Sequence, residues 1–129
     1  MMRTTRVVKP LFTRSFSKVT LAEGVEFDKI AREWRMKWTA DNNKQSLVLA
    51  QKALAEMLPS VKQVNGVQSV QRIVCGGCHD FKVIVSLPVK EFKEWEANKF
   101  QPEEAFLGKV RGISGVSQVE TQTYTLETL

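Results

Sequence analysis

The residues best suited to chemistry are two cysteines and the only histidine of the chain, which stand in the run Cys75-Gly76-Gly77-Cys78-His79. The Cys-x-x-Cys-His pattern is one by which proteins attach a c-type haem, with the histidine as an axial ligand. The same two thiols can form a redox pair when a neighbouring cation or a charged histidine activates them. With the histidine they also make three of the four ligands that a closed structural zinc site needs. The motif alone therefore leaves haem, thiol redox chemistry and zinc open.

The elements predicted around this motif argue against haem attachment and thiol exchange. Two runs rich in valine and isoleucine, residues 67–74 and 81–87, predict strands on either side of it. The Gly76-Gly77 pair suits a tight β-hairpin whose residues need positive φ. Haem attachment and thioredoxin-like exchange usually present the motif at a helix, so the plainest interpretation is a hairpin with reduced cysteines. We expect no cofactor, and the two cysteines and the histidine are kept as candidate redox or metal-binding residues.

A second set of candidates alternates along a strand predicted to begin near residue 31. Successive side chains of a strand point to opposite sides, and one side of this strand carries Arg32, Trp34, Met36 and Trp38. The apolar members suit a core or a dimer interface, or they could line a ligand cavity between paired sheets. Arg32 needs a partner among these aromatics, which could be an anionic ligand or an acid such as Glu120 or Asp80. We predict Arg32, Trp34, Gly77 and Asp80 as ligand-binding residues, and Trp34, Met36 and Trp38 as interface residues.

The remaining elements complete an α+β domain. Asp41 or Asn42 can cap a helix with apolar residues at helical spacing. Pro59 must kink or end this helix, or open a final short turn. A second helical stretch, residues 89–111, is divided by Pro102, and an alternating, threonine-rich C-terminal segment predicts a last strand. The order strand, helix, strand, strand, helix, strand is the ferredoxin-like βαββαβ plan, in which both helices cover one face of an antiparallel sheet. The other face needs a ligand, a partner or a second copy of the chain.

Positive charge is concentrated at the N-terminus. The chain carries a net charge of +5, and residues 1–16 contribute +4 of it through three arginines and one lysine, with no acid. The remainder has 15 basic and 14 acidic residues, which argues against the basic face of a nucleic-acid-binding domain. An acid-free segment rich in arginine, serine and threonine is typical of a mitochondrial transit peptide.

This composition predicts a mitochondrial protein, located in the matrix. We expect residues 1–16 to be the targeting peptide, residues 17–26 a linker, and residues 27–129 the folded domain. No apolar run approaches the roughly 18 residues that a membrane-spanning helix needs, so we expect no membrane span.

Residues 60–129 carry a further pattern: a valine-rich strand, a hairpin with Gly77 and Asp80, a second apolar strand, a helix, and the pair Gly115-Val116. A last strand then contains Thr121, Thr123 and Leu126. This succession resembles the effector-binding domain of the leucine-responsive regulator/AsnC family. The resemblance implies a dimeric α/β barrel formed by two sheets, with a small-molecule ligand, and related barrels include small monooxygenases. Those regulators carry a helix-turn-helix domain ahead of this one, whereas here a predicted targeting peptide and linker precede it, so we expect no direct contact with DNA.

Two functional hypotheses follow. The preferred one is a non-enzymatic binding or assembly protein of mitochondria, either a homodimer that binds a small molecule or an accessory subunit of a larger mitochondrial complex. The alternative is an enzyme, either a small barrel-type monooxygenase or a thiol-redox protein that uses Cys75 and Cys78. The preference rests on the lack of a recognisable nucleophile triad, phosphate loop or pair of carboxylates in the sequence.

Overall fold

The computed structural model describes residues 18–129, so the targeting peptide predicted for residues 1–16 lies outside the described residues. Within that range the chain forms, in order, β1 (Val19–Ala22), β2 (Val25–Phe27), β3 (Lys29–Lys37), α1 (Asp41–Lys62), β4 (Ser69–Val74), β5 (Asp80–Pro88), α2 (Val89–Ala97), α3 (Glu103–Arg111) and β6 (Ser117–Leu126).

Strands β3 to β6 form one antiparallel sheet in the order β4-β5-β3-β6. Helix α1 connects β3 to β4, and α2 and α3 connect β5 to β6. The alternating valines and isoleucines of β4 and β5 and the alternation along β3 give the strands the apolar side that such a sheet buries. The predicted ferredoxin-like βαββαβ fold is therefore confirmed.

The hydrophobic core lies between the sheet and the helices. Trp34 stands opposite Val83 in the pairing of β3 with β5, so alternate residues of both strands enter the core from the same side. Trp34 is 0% exposed, Met36 2% and Trp38 3%. Their prediction as interface residues is wrong, because the helices of the same chain cover their side of β3.

The stretch predicted as a linker contains a two-stranded hairpin instead. Strands β1 and β2 pair in antiparallel fashion, with Val19 opposite Phe27. Gly24 lies in the turn at a φ of 78°, in the left-handed region that glycine adopts without a Cβ penalty. Phe27 is 6% exposed and fixes the base of the hairpin, whereas Leu21 is 64% exposed.

The start of α1 also differs from the prediction. Neither Asp41 nor Asn42 caps the helix through its side chain, and the flanking residue is Ala40. The next residues, Asn42, Asn43 and Lys44, have φ between 54° and 60°, so the regular right-handed helix begins after them. Asparagine tolerates this left-handed conformation better than other residues with a side chain. At the other end Pro59 does not end α1, as it was predicted to do in one alternative, since the helix continues for a short final stretch to Lys62.

No helix formed by residues 18–129 is long and apolar enough to cross a membrane.

Candidate functional site

The four residues predicted to bind a ligand do not form one site. Arg32 and Trp34 lie on the helix-covered side of the sheet. Asp80 stands opposite Lys37 at the other end of β3, and its Oδ1 lies 2.6 Å from Lys37 Nζ on the uncovered side. That ion pair holds the pKa of Asp80 below its ordinary value. Gly77 is exposed at the tip of the β4–β5 hairpin, so the structure brings Gly77 and Asp80 together but separates them from the other two.

The partner of Arg32 is Glu103, at the start of α3. Arg32 Nε donates to Glu103 Oε1 at 2.7 Å, and Arg32 Nη2 donates to Oε2 at 3.1 Å. Trp34 Nε1 donates to the same Oε1 at 2.7 Å, and Arg32 Nη1 donates to Thr123 Oγ1 at 2.9 Å. Neither Glu120 nor Asp80, the acids considered from the sequence, contacts Arg32. A two-point pair between guanidinium and carboxylate is the strongest form of this contact, and it satisfies both charges inside the domain.

Aromatic rings surround this ion pair. The guanidinium carbon of Arg32 lies 4.0 Å from the centre of the Phe100 ring, a cation–π contact. The Trp34 ring lies 5.3 Å from Phe106 and 6.3 Å from Trp95. Because these rings fill the space around Trp34, its role is that of a core residue and not of a cavity wall.

The cysteine motif forms the tip of the β4–β5 hairpin, as predicted, but its chemistry and backbone differ from the prediction. Cys75 and Cys78 are joined by a disulfide, so they are not the reduced pair of the plainest interpretation. Neither Gly76 nor Gly77 has the positive φ expected of the turn, and His79 has it instead, at 63°. No group of three or more His, Cys, Asp or Glu residues among residues 18–129 is arranged to hold a metal ion.

The His79 side chain binds the hairpin to the end of β3. Its ring stacks on Trp38 at 4.4 Å between centres, and its carbonyl oxygen accepts a hydrogen bond from the Trp38 N–H at 3.0 Å. Both contacts hold the tip of the hairpin against the end of β3.

A cavity with mostly apolar walls lies between α1 and the β4–β5 hairpin. Its volume is about 400 Å³, and its walls are Leu47, Val48, Gln51 and Lys52 of α1 together with Arg72, Val74 and Phe81 of the hairpin. It opens at the edge of the sheet, because β4 is an edge strand that α1 covers only in part. Cavities that bind small molecules have this combination of apolar walls and a few directed polar groups. We call it the α1–β4 pocket.

The polar groups of the α1–β4 pocket are cationic. Arg72 Nη1 donates a hydrogen bond of 2.7 Å to Gln51 Oε1, which fixes the guanidinium at the mouth. Lys52 adds a second positive charge from the neighbouring position of α1. The pocket therefore suits an apolar molecule that carries a negative charge at one edge.

The uncovered face of the sheet carries a buried carboxylate. Glu33 is 4% exposed, and Tyr124 donates its hydroxyl to Glu33 Oε1 at 2.9 Å. Glu33 Oε2 accepts no hydrogen bond, although Arg35 Nη1 lies 3.5 Å away at ion-pair distance. Burial and the Glu33 carboxylate raise the pKa of Tyr124 to about 12.

Sequence reasoning missed three of these features. Glu103 gave a weak signal, as an acid in the first turn after Pro102, but nothing in the sequence tied it to Arg32. Arg72 lies on a predicted strand and Gln51 on a predicted helix, but the sequence did not indicate that these two elements would lie side by side. Glu33 alternates with Trp34 on β3, and period two alone does not tell which side of a strand the helices cover.

Several solved structures are similar to this fold. No protein-family model and no curated protein sequence matches the chain. Among solved structures, a monooxygenase from the ActVA-Orf6 gene of Streptomyces coelicolor, in complex with nanaomycin D, has a TM-score of 0.59 at 9% identity, over 80% of this chain and 90% of that one. SnoaB, a cofactor-independent oxygenase from Streptomyces nogalater, has a TM-score of 0.53 at 13% identity, over 79% and 96%. A dimeric ferredoxin-like protein from an uncultured marine organism has a TM-score of 0.54 at 12% identity, over 79% and 90%.

These neighbours confirm the coarse fold and correct the functional prediction. They share the ferredoxin-like fold of this chain, and one of them is named as a dimeric ferredoxin-like protein, but none of the three is named as a leucine-responsive regulator. The preferred hypothesis of a non-enzymatic binding protein or accessory subunit is wrong on this comparison, because the functions named among the neighbours are oxygenase functions. The mitochondrial location stays a prediction. They favour the alternative of a small barrel-type monooxygenase.

Proposed function

We propose that this protein is a cofactor-independent monooxygenase that acts on a flat, phenolic aromatic compound in the α1–β4 pocket. The observation that carries the proposal is the pocket itself, about 400 Å³ with apolar walls and the Arg72 guanidinium fixed at its mouth. The named neighbours support the same reaction class, since one is a monooxygenase and another a cofactor-independent oxygenase.

The chemistry of the pocket limits the substrate. In a reaction without a cofactor or an external reductant, all four electrons that reduce O₂ to one product oxygen and one water come from the substrate, which must be electron-rich and able to lose a proton. An aromatic compound with an acidic methylene group meets this need: the methylene becomes a carbonyl, one oxygen atom enters the product, and the other leaves as water. The substrate loses two hydrogens to that water, so atoms and electrons balance.

In this proposal each residue of the pocket has a defined task. Arg72 and Lys52 stabilise the anionic form of the substrate, which is the form that reacts with O₂, and thereby favour loss of its proton. Gln51 keeps the Arg72 side chain in place through the 2.7 Å hydrogen bond. Val48, Val74 and the fully buried Phe81 hold the flat ring system and exclude water from it.

The direct experiment uses the full chain, air-saturated buffer and a dihydroxyanthrone as probe, with O₂ uptake and product mass as readouts. We expect one O₂ consumed for each oxygen atom incorporated, at a rate above the uncatalysed reaction. The variant Arg72→Gln should lower kcat/KM by at least about tenfold, which corresponds to about 1.4 kcal/mol. The matched control is Arg111→Gln, which removes an exposed arginine from the last turn of α3. Equal rates for the wild type, the variant and the buffer blank would refute the proposal.

We further propose that two copies of the chain pair through the uncovered face of the sheet. The dimeric ferredoxin-like neighbour and the resemblance to regulator domains support this pairing. So does the buried Glu33 Oε2, which lacks a hydrogen-bond donor within the described chain. Ile84→Arg, at the position opposite Glu33 on β5, should give a monomer in sedimentation experiments. Glu96→Arg on the exposed side of α2 should leave the mass of the assembly unchanged, and a monomeric wild type would contradict the pairing.

The mitochondrial address is a separate proposal that rests on the composition of residues 1–16. We propose that this segment directs the protein to the matrix. A fusion of residues 1–16 to a reporter tests this address. The control is the same fusion with its three arginines and its lysine changed to glutamine. A reporter that stays outside mitochondria in both fusions would contradict the address.

A further inference from the structure

The disulfide at the tip of the β4–β5 hairpin is unused by the proposed oxygenase chemistry. Cys75 is half-buried and Cys78 is exposed, and the flanking glycines Gly76 and Gly77 are exposed as well, so reagents reach the sulfur atoms from solvent. A purely structural cross-link between residues three positions apart closes a very small loop, which is the case in which a disulfide contributes least stability. The position and size of the loop therefore suit thiol–disulfide exchange better than a structural cross-link.

The hairpin keeps its backbone shape by contacts that do not involve the sulfur–sulfur bond. The Cys75 N–H donates to the Asp80 carbonyl at 3.0 Å, and the His79 N–H donates to the Cys75 carbonyl at 3.0 Å. Lys37 Nζ donates to the Cys78 carbonyl at 2.9 Å, and the His79 ring stacks on Trp38. The tip can therefore lose the disulfide without losing its anchor on β3.

The two sulfur atoms have different electrostatic surroundings. Cys75 Sγ accepts the backbone N–H of Cys78 at 2.9 Å, and an N–H donor stabilises negative charge on sulfur. Cys78 Sγ lies 3.3 Å from Asp80 Oδ2, a carboxylate that opposes negative charge there. That contact becomes an S–H···O hydrogen bond only when Cys78 is a thiol, since a sulfur in a disulfide has no proton to donate. The surroundings thus favour a thiolate at Cys75 and a neutral thiol at Cys78 after reduction.

We propose that Cys75 and Cys78 are a reversible redox site that exchanges electrons with an external dithiol. The thiolate of the dithiol attacks the exposed Cys78 Sγ, the Cys75–Cys78 bond breaks, and its electron pair remains on Cys75. The second thiol of the reductant, as a thiolate, then attacks the mixed disulfide and releases Cys78. Cys78 takes up one proton and, as a thiol, donates a hydrogen bond to Asp80, while the other proton of the dithiol goes to solvent. The external dithiol is oxidised to a disulfide and the protein is reduced by two electrons, and the reverse sequence restores the protein disulfide.

The test uses the full chain, oxidised in air and treated under native conditions with mixtures of reduced and oxidised dithiothreitol. After an acid quench, free thiols are tagged with a maleimide and counted by mass. We expect two tags per chain in reducing mixtures, none in oxidising ones, and an unchanged circular dichroism spectrum throughout. Tags that appear only in denaturant, or two free thiols before any reductant is added, would overturn the proposal.

The direction of attack is tested with a monothiol and with single variants. Reduced glutathione should give an adduct on Cys78, located by fragmentation of the peptide that contains both cysteines, whereas an adduct on Cys75 would reverse the assignment. Cys78→Ser retains the backbone N–H beside Cys75, and Cys75→Ser leaves Cys78 beside Asp80. Cys75 in the first variant should be alkylated with a midpoint at least about one pH unit below that of Cys78 in the second, a tenfold difference in thiolate population. Equal or inverted midpoints would overturn the proposed asymmetry. These readouts involve thiols alone, so they are independent of whether the chain is an oxygenase.

Discussion

Arg32 and Glu103 form a two-point ion pair within the core of the domain, with nitrogen–oxygen distances of 2.7 and 3.1 Å. Their side chains are 15% and 11% exposed, so water screens the pair little. The pair joins the middle of β3 to the first turn of α3, and it also receives the indole N–H of Trp34. Because buried charges must be paired, this contact fixes the position of the first turn of α3 relative to β3.

Replacing Glu103 by glutamine should destabilise the fold. Glutamine still accepts the Trp34 N–H, but it leaves the Arg32 charge buried without a counter-ion, which costs about 3 kcal/mol. Urea unfolding measures the difference. Glu104→Gln, one residue further and exposed, is the matched control and should stay within about 0.5 kcal/mol of the wild type. Equal losses in both variants would mean that the pair does not contribute as argued.

Filling the α1–β4 pocket should block the proposed substrate without unfolding the protein. Val48 is 43% exposed at the mouth, so Val48→Phe adds a ring to the cavity and disturbs no buried packing. We expect KM for the dihydroxyanthrone probe to rise at least about tenfold, the equivalent of about 1.4 kcal/mol in binding. Val19→Phe makes the same change at a residue of β1 that is 39% exposed, and its kinetics should match the wild type. Unchanged KM in Val48→Phe would place the substrate elsewhere.

The single tyrosine of the chain reports on the uncovered face of the sheet. Its pKa is raised to about 12, so the folded protein binds the phenol proton more tightly than the unfolded chain does. This contribution to stability is complete below about pH 10 and is lost as the pH rises towards about 12. Phenolate absorbance should therefore titrate near pH 12 in the folded protein and near pH 10 in denaturant. Glu33→Gln should lower the folded midpoint, and a folded midpoint at the unfolded value would contradict the Tyr124–Glu33 hydrogen bond.

Gly115 should not tolerate a side chain. Its φ is 95°, and a Cβ there would stand 2.9 Å from Ser46 Cβ and 3.1 Å from Thr39 Oγ1. Gly115→Ala should lower the free energy of unfolding by about 2 kcal/mol through backbone strain and crowding. Gly108→Ala is the control, because it meets no atom within 4 Å and lies inside α3. It should raise stability by about 0.8 kcal/mol, through the higher helix propensity of alanine. Equal effects of the two substitutions would refute this account of Gly115.

Local patterns were sufficient to predict the four strands of the main sheet and the helices, but not the β1–β2 hairpin, which lies in the predicted linker. The alternation along β3, the valine-rich strands around the cysteines and the division of the second helical stretch at Pro102 all follow from properties of a few neighbouring residues. The same patterns could not tell which side of β3 faces the helices. Both sides contain buried residues, Trp34 on one and Glu33 on the other, so their sequence signals overlap.

Contacts between residues distant in sequence could not be predicted, because they depend on how the elements pack against one another. The sequence suggested Glu120 or Asp80 as the acid that pairs with Arg32. The actual partner, Glu103, is 71 residues away in sequence, and its contact depends on where α3 starts over the sheet. The turn at the hairpin shows the same limit on a smaller scale. Two glycines marked the tip correctly, but the stacking of His79 on Trp38 places the left-handed residue at position 79.

One cross-strand pair links the two proposed sites. Val74 and Phe81 face each other on β4 and β5, both line the α1–β4 pocket, and each is the immediate neighbour of a residue that closes the cysteine hairpin. If reduction of the disulfide shifts this pair, ligand affinity changes by some factor. Thermodynamic reciprocity then requires the ligand to change the ratio of disulfide to dithiol by that same factor. A substrate bound against Val74 would in that case shift the reduction potential of Cys75 and Cys78. The redox state of the hairpin would then depend on whether the pocket is occupied.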